Sequence, residues 1–229
     1  MAVAQSPLVR GIAFFASSIM RRLAGADAEL MAGAAANDMR RAMRALEDGA
    51  NTECRGADGA TPLLAACSHG HLQLALLLLA RSANVNCQSN FGSSPLMKCA
   101  VLGSTELVSL MLAKRADPEA RNADGSTAII CAACHGHVEC VRELLSAGAN
   151  ADAQNKNGGN ALMNAAFSGH LAVVQLLVER GANPNLVSRS GWTAAIYAVR
   201  NDHHQVADWL VRHGGAYGQE LRNVLQTVM

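Results

Sequence analysis

The sequence predicts an all-α solenoid of helix-turn-helix units, and two observations lead to that prediction. Half of the residues are hydrophobic but only 3% are aromatic, which suits thin helices packed closely through Ala, Leu, Val and Met. The second observation is a glycine that recurs every 33 residues, at Gly59, Gly92, Gly125, Gly158 and Gly191. A repeat of this length is typical of supersecondary units that bury their apolar faces only by stacking on neighbours.

The first helix of each unit has a recognisable start and end. A residue able to cap a helix stands two places after each glycine, at Thr61, Ser94, Thr127, Asn160 and Thr193. Its side-chain oxygen can accept a hydrogen bond from the first turn, and the prolines that follow in two units fit the first helical position. The break after this helix falls at Gly70, Gly103, Gly136, Gly169 and Asp202, where glycine favours a left-handed helix end.

The second half of each unit is a Leu-rich stretch that predicts another helix with an apolar face. Each unit then closes on Gly-Ala-Asn or a variant of it, which indicates an exposed turn. Read from Gly59-Ala60-Thr61-Pro62-Leu63 through Gly70-His71 to Ala83-Asn84, this order resembles the ankyrin-repeat family over about residues 26–223. The resemblance implies paired antiparallel helices, β-turn fingers and a curved array with a concave binding face.

The two ends of the array depart from the repeat, as the caps of a solenoid do. Residues 26–58 lack the Thr-Pro-Leu start, and Arg40, Arg41 and Arg44 give them a polar outer face. We therefore expect a degenerate N-terminal cap repeat over residues 26–58, five repeats over 59–223, and a short capping helix over 219–229.

Residues 1–25 form a separate amphipathic leader. One side of its helical wheel is apolar, and no acidic residue precedes Asp27. This composition is typical of an organelle transit peptide, but it also fits a helix that docks on the first repeat, a contact with a partner or a membrane surface, or a disordered segment. Seven cysteines and no N-x-S/T sequon favour an intracellular, cytoplasmic location, with a mitochondrion or another organelle as the alternative. No apolar run approaches the length of a transmembrane segment.

Two patterns have to be weighed as metal or cofactor sites. Cys131-Ala132-Ala133-Cys134-His135 matches the attachment motif of c-type haem, but it lies inside a predicted first helix, where a haem would displace the neighbouring unit. A histidine recurs at one repeat position, as His71, His137, His170 and His203. Helices about 10 Å apart cannot share one metal ion through bonds of about 2 Å. We expect no metal, no cofactor and no catalytic residue, and a formal charge of +1 argues against a nucleic-acid partner.

The candidate binding residues are variable positions in the fingers, which the repeat pattern leaves free. They are Arg55, Asp58, Gln88, Asn90, Phe91, Arg121, Asp124, Gln154, Lys156, Arg189 and Trp192. Arg, Phe and Trp are types that anchor protein interfaces when exposed. Trp192 is expected to be exposed in its finger, whereas Trp209 takes the place of a recurring Leu and is expected to be buried.

These observations favour a protein–protein interaction module, an adaptor or scaffold that binds its partner through the concave face and the finger tips. The alternative is a permanent, non-catalytic structural subunit of a large, organellar assembly. The chain has no P-loop, no G-x-S-x-G elbow, no dinucleotide fingerprint and no H-E-x-x-H, the motifs that indicate an enzyme.

Overall fold

The computed structural model of the chain describes residues 23–216. The predicted leader up to residue 22 and the predicted capping helix over 219–229 lie outside the described residues. Within this range the regular structure is α-helical and contains no strand, which confirms the predicted all-α repeat fold. The chain divides into two compact units, Met1–Asn84 and Val85–Met229.

The first unit contains four helices within the described residues. They are α1 (residues 23–36), α2 (Met39–Glu47), α3 (Pro62–Ser68) and α4 (Leu72–Ala80). Helical structure thus already covers residues 23–25, the last part of the predicted leader. The helices α1 and α2 approach closely at Gly33, where an added Cβ would lie 2.9 Å from the backbone nitrogen of Ala42. Asp38 caps α2 by accepting a hydrogen bond from Arg41 N at 3.0 Å.

The second unit consists of four helix pairs at the predicted spacing. They are α5 (Pro95–Leu102) with α6 (Thr105–Ala113), α7 (Ala128–Cys134) with α8 (Val138–Ser146), α9 (Ala161–Phe167) with α10 (Leu171–Glu179), and α11 (Ala194–Arg200) with α12 (His204–Arg212). The first helices pack side by side in the order α5, α7, α9, α11, and the second helices in the order α6, α8, α10, α12. Each repeat therefore buries its apolar faces against its neighbours.

Side-chain caps begin most of the first helices. Asn160 Oδ1 accepts from Met163 N at 2.9 Å, and Thr61, Ser94 and Thr193 make the corresponding contact. The predicted cap is wrong at Thr127, which forms no side-chain cap bond. Its Oγ1 is buried without a hydrogen-bond partner among the described residues.

The core is aliphatic throughout the described residues. Its largest fully buried side chains are Leu, Ile and Met, and none of the five described aromatic residues is fully buried. The expectation that Trp209 is buried is therefore wrong. Its ring is half-buried and stacks on the His213 ring with the centroids 3.9 Å apart. Leu77 and Leu110, which hold the same repeat position, are also half-buried, whereas Leu176 is buried there, so the burial of this position differs between repeats.

At positions 71, 137 and 170 the recurring histidine joins its repeat to the preceding repeat of the same unit. His170 Nε2 lies 3.1 Å from Cys134 O, and His137 Nε2 lies 3.0 Å from Val101 O. Because a carbonyl can only accept, Nε2 must be the protonated nitrogen of each ring. The His170 ring also lies on Gly136, where an added Cβ would be 2.7 Å from Nδ1. The histidines therefore have a structural role between repeats.

Gly136→Ala is expected to destabilise the protein more than Gly148→Ala. Both glycines have positive φ, +76° and +86°, but only Gly136 has a ring above it, since nothing lies within 4 Å of a Cβ at position 148. Gly148→Ala should lower the free energy of unfolding by about 1 kcal/mol, the cost of a left-handed alanine. Gly136→Ala should lose about 1–3 kcal/mol more, because the His170 hydrogen bond is displaced. Equal losses in urea unfolding would show that the histidine contact contributes nothing.

Ser82→Gly and Arg115→Gly are each expected to stabilise the protein by about 1 kcal/mol. Ser82 and Arg115 have φ of +65° and +64°, and other repeats have glycine at this position, for example Gly148. Ala113→Gly, in the last turn of α6, is the matched control and should destabilise by up to about 1 kcal/mol. Thermal unfolding checks the sign: a loss of stability on Arg115→Gly would contradict the argument.

Candidate protein-binding surface

The fingers of the second unit are tight turns closed by their own backbone and by the polar side chain at their second position. They comprise residues 88–93, 121–126, 154–159 and 187–192. In the third of these, Asn155 N donates to Gly159 O at 2.9 Å. The Asn155 side chain accepts from Asn157 N at 3.0 Å and from Gly159 N at 2.9 Å. The same oxygen therefore holds both ends of the turn.

Backbone hydrogen bonds connect each finger of this unit to the next. They run from Ala123 N to Phe91 O at 2.8 Å, from Lys156 N to Asp124 O at 2.9 Å, and from Arg189 N to Asn157 O at 3.0 Å. The donors recur every 33 residues, so the bond is a property of the repeat. It holds neighbouring finger tips in a constant register.

Four of the predicted site residues share one finger position and use their polar groups within the fingers. Arg121 Nη1 donates to Gly125 O at 2.9 Å and to Gln154 O, in the next finger, at 2.7 Å. Gln88 and Gln154 bridge their own and the following finger in the same way. In the first unit, Arg55 Nη1 donates to Gly59 O at 2.9 Å. These side chains position the fingers.

The other predicted residues of the second unit, apart from Trp192, are exposed at the finger tips. They are Asn90, Phe91, Asp124, Lys156 and Arg189. Phe91 is 67% exposed, the highest value among the large hydrophobic side chains described. In the first unit Asp58 is exposed as well, and its carboxylate accepts from Ala60 N at 3.0 Å. The tips of the second unit thus carry one exposed aromatic ring, two cations and one carboxylate.

Trp192 belongs to an aromatic cluster between its finger and the first helices. Its ring meets the Tyr197 ring edge-on with 5.3 Å between centroids, and Tyr197 meets Phe167 at 6.3 Å. The Arg200 guanidinium carbon lies 4.3 Å from the Trp192 centroid, a cation–π contact. The expectation of an exposed Trp192 is wrong, since these contacts leave it half-buried.

An open cleft of about 200 Å³ lies beside this cluster. Its lining consists of Asn155, Asn157, Gly159, Met163, Asn164, Phe167 and Tyr197. Phe167 is 50% exposed although it is a large hydrophobic residue. The cleft therefore presents aromatic faces and amide groups together.

Phe167, Tyr197 and Arg200 lie on first helices and are not among the binding residues predicted from the sequence. A signal was available: Phe167 and Arg200 share one repeat position, and Tyr197 precedes Arg200 by one helical turn. The chain has few aromatic residues, so two of them on one face indicate a surface with a specific role. Their contact with the finger, however, could not be predicted from the sequence, because it depends on the folded backbone.

Cys131 and Cys134 of the haem-like motif both lie in α7. Burial raises the pKa of the Cys131 thiol to about 11, so it is protonated at neutral pH and a poor nucleophile or ligand. His135 Nδ1 lies 2.9 Å from Cys131 O, a contact within one helical turn. Across residues 23–216 no three His, Cys, Asp or Glu side chains are grouped so that they could hold a metal ion. In the same range, no helix has the length and apolar character needed to cross a membrane.

Comparison with protein families agrees with this geometry. The family described as ankyrin repeats (3 copies) matches residues 30–122, 99–188 and 147–223. These overlapping matches span most of the chain, and the protein belongs to the ankyrin-repeat family. A comparison with curated proteins found no match. Ankyrin repeats are protein–protein interaction modules, and the fold is typically non-catalytic.

Arg121→Ala is expected to destabilise the second unit, whereas Lys156→Ala is not. The Arg121 guanidinium holds two carbonyls, and losing these bonds should cost about 1–2 kcal/mol. The ammonium of Lys156 is exposed, and its removal should change stability by less than about 0.5 kcal/mol. Urea denaturation compares the two variants, and an Arg121→Ala protein as stable as the parent would contradict the bridging role.

Proposed function

We propose that this protein is an adaptor or scaffold that binds a partner protein through one surface of its second unit. This binding face consists of the four fingers of that unit and the exposed sides of the first helices α5, α7, α9 and α11. The observation that carries the proposal is the exposure of Phe91 and Phe167, at 67% and 50%, on a protein whose described core is aliphatic. Exposed aromatic rings of this kind serve as interface anchors.

The division of roles among the finger residues supports the same conclusion. Arg121 and Gln154 tie the fingers together, so the tip residues Phe91, Lys156 and Arg189 are presented on a rigid support. A support that is rigid before binding increases affinity, because less freedom is lost on association. The tips and the aromatic cluster are therefore the parts of the face that contact the partner.

Phe91→Ala with Phe167→Ala is expected to weaken partner capture without unfolding the protein. Both rings are largely exposed, so the melting temperature should change by less than a few degrees. Losing two anchors should reduce the captured partner at least about tenfold. The measurement is a pull-down from native cells with the full chain as bait, quantified by mass spectrometry.

Val211→Ala is the matched control, because Val211 is also exposed, at 39%, but lies on the second helix α12. It should leave capture unchanged. If the double variant retains the full amount of partner, or if Val211→Ala loses it, the binding face is not the site. A high-salt wash tests the role itself: an adaptor releases its partner, whereas a permanent structural subunit stays in a stoichiometric complex.

A further inference from the structure

The charges of the second unit are segregated. Residues 85–216 contain ten basic and ten acidic side chains and are neutral as a whole. The fingers and first helices hold five of the basic residues, Lys98, Arg121, Lys156, Arg189 and Arg200, but only one acid, Asp124. The remaining segments hold five basic and nine acidic residues. The binding face thus carries an excess of four positive charges, and the rest of the unit an equal negative excess.

These cations lie on the same face as the aromatic cluster. Arg200 covers the Trp192 ring, and Lys156 and Arg189 are exposed tip residues of the two fingers nearest to it. Lys98 holds the repeat position of Tyr197, on a first helix packed in the same row. Among residues 23–216 none of these four side chains forms an ion pair. Their charge is therefore available to an incoming group.

The cleft beside the cluster has the size of a site for one side chain. Its volume of about 200 Å³ is below the roughly 300–1,000 Å³ of small-molecule pockets. Phe167 and Tyr197 supply apolar faces, while Asn157 and Asn164 place amides at its edge. Amides are both donors and acceptors, the groups that a peptide backbone needs.

We propose that the second unit binds an acidic segment of its partner, which places one aromatic or large aliphatic side chain against Phe167 and Tyr197. The acidic residues of that segment face Lys156, Arg189 and Arg200. This inference rests on the proposed function and adds the chemistry of the partner to it. A nucleic acid fits less well, because proteins that bind it commonly contact about 6–10 phosphates, more than the cations of this face.

The test is selection of binders to the full chain from a phage library of random dodecapeptides. The selected peptides are then synthesised with a fluorophore, and their dissociation constants are measured by anisotropy. We expect net negative charge and an aromatic or large aliphatic residue in the selected peptides. Their affinity for the chain should fall severalfold between 50 and 200 mM salt, as expected for charge-dependent binding.

Two variants test the two halves of the site. Phe167→Ala should weaken peptide binding about thirtyfold, and Lys156→Gln with Arg189→Gln about fivefold. Lys114→Gln with Arg180→Gln removes two cations that lie outside the binding face and should change affinity less than twofold. Circular dichroism confirms that each variant is folded, and the charge variants still test the proposal if Phe167→Ala is not.

Four outcomes would overturn the inference. The first three are that the library yields no binder, that the selected peptides are neutral or basic, and that both Phe167→Ala and Lys156→Gln with Arg189→Gln bind as tightly as the parent. Tighter binding of an oligothymidine probe than of the peptides would also overturn it, in favour of nucleic acid. The proposed function is tested separately. If partner capture still depends on Phe91 and Phe167 but no acidic peptide is selected, only the proposed chemistry of the partner is wrong.

Discussion

The close packing of first helices against one another is the constraint on which the second unit depends. Neighbouring first helices can approach only where their facing residues are small, and Ala132, Ala133, Ala165 and Ala166 are fully buried there. The same closeness allows the histidine of one repeat to reach a carbonyl of the preceding one. It also brings consecutive fingers within backbone hydrogen-bond distance. The hydrogen bonds between repeats and the register of the fingers thus both follow from the short distance between neighbouring first helices.

This packing determines where aromatic residues can be accommodated. A core filled with Ala, Leu, Ile, Val and Met at native density leaves little room for a large ring. Phe91, Phe167, Trp192 and Tyr197 therefore remain at least partly accessible, and three of them contact one another beside an open cleft. The composition that makes the repeats stack is also the reason that aromatic rings lie at the surface.

The packing of the first helices also explains the positive charge of the binding face. The four first helices carry no acidic residue and only two basic ones, because most of their side chains are buried. The acids of the unit are concentrated in the second helices and the turns that follow them. Several have structural partners: Glu119 accepts from Asn150 N at 2.8 Å, and Asp152 accepts from Asn183 N at 3.0 Å. These carboxylates therefore lie outside the fingers and first helices of the unit.

Much of the fold could be predicted from the sequence, because the 33-residue register encodes local rules. Capping residues, left-handed glycines and apolar periodicity act within a few residues of one another, so the helix pairs and fingers appear where the pattern puts them. Contacts between repeats are different, since they join residues about 30 or more positions apart. The bridging role of Arg121 and Gln154, the contact of Phe167 with Tyr197 and the half-burial of Trp209 were decided only by the tertiary structure. The reason is physical: a repeat pattern specifies which positions face a neighbour, but the distance and orientation of that neighbour determine which side chains meet.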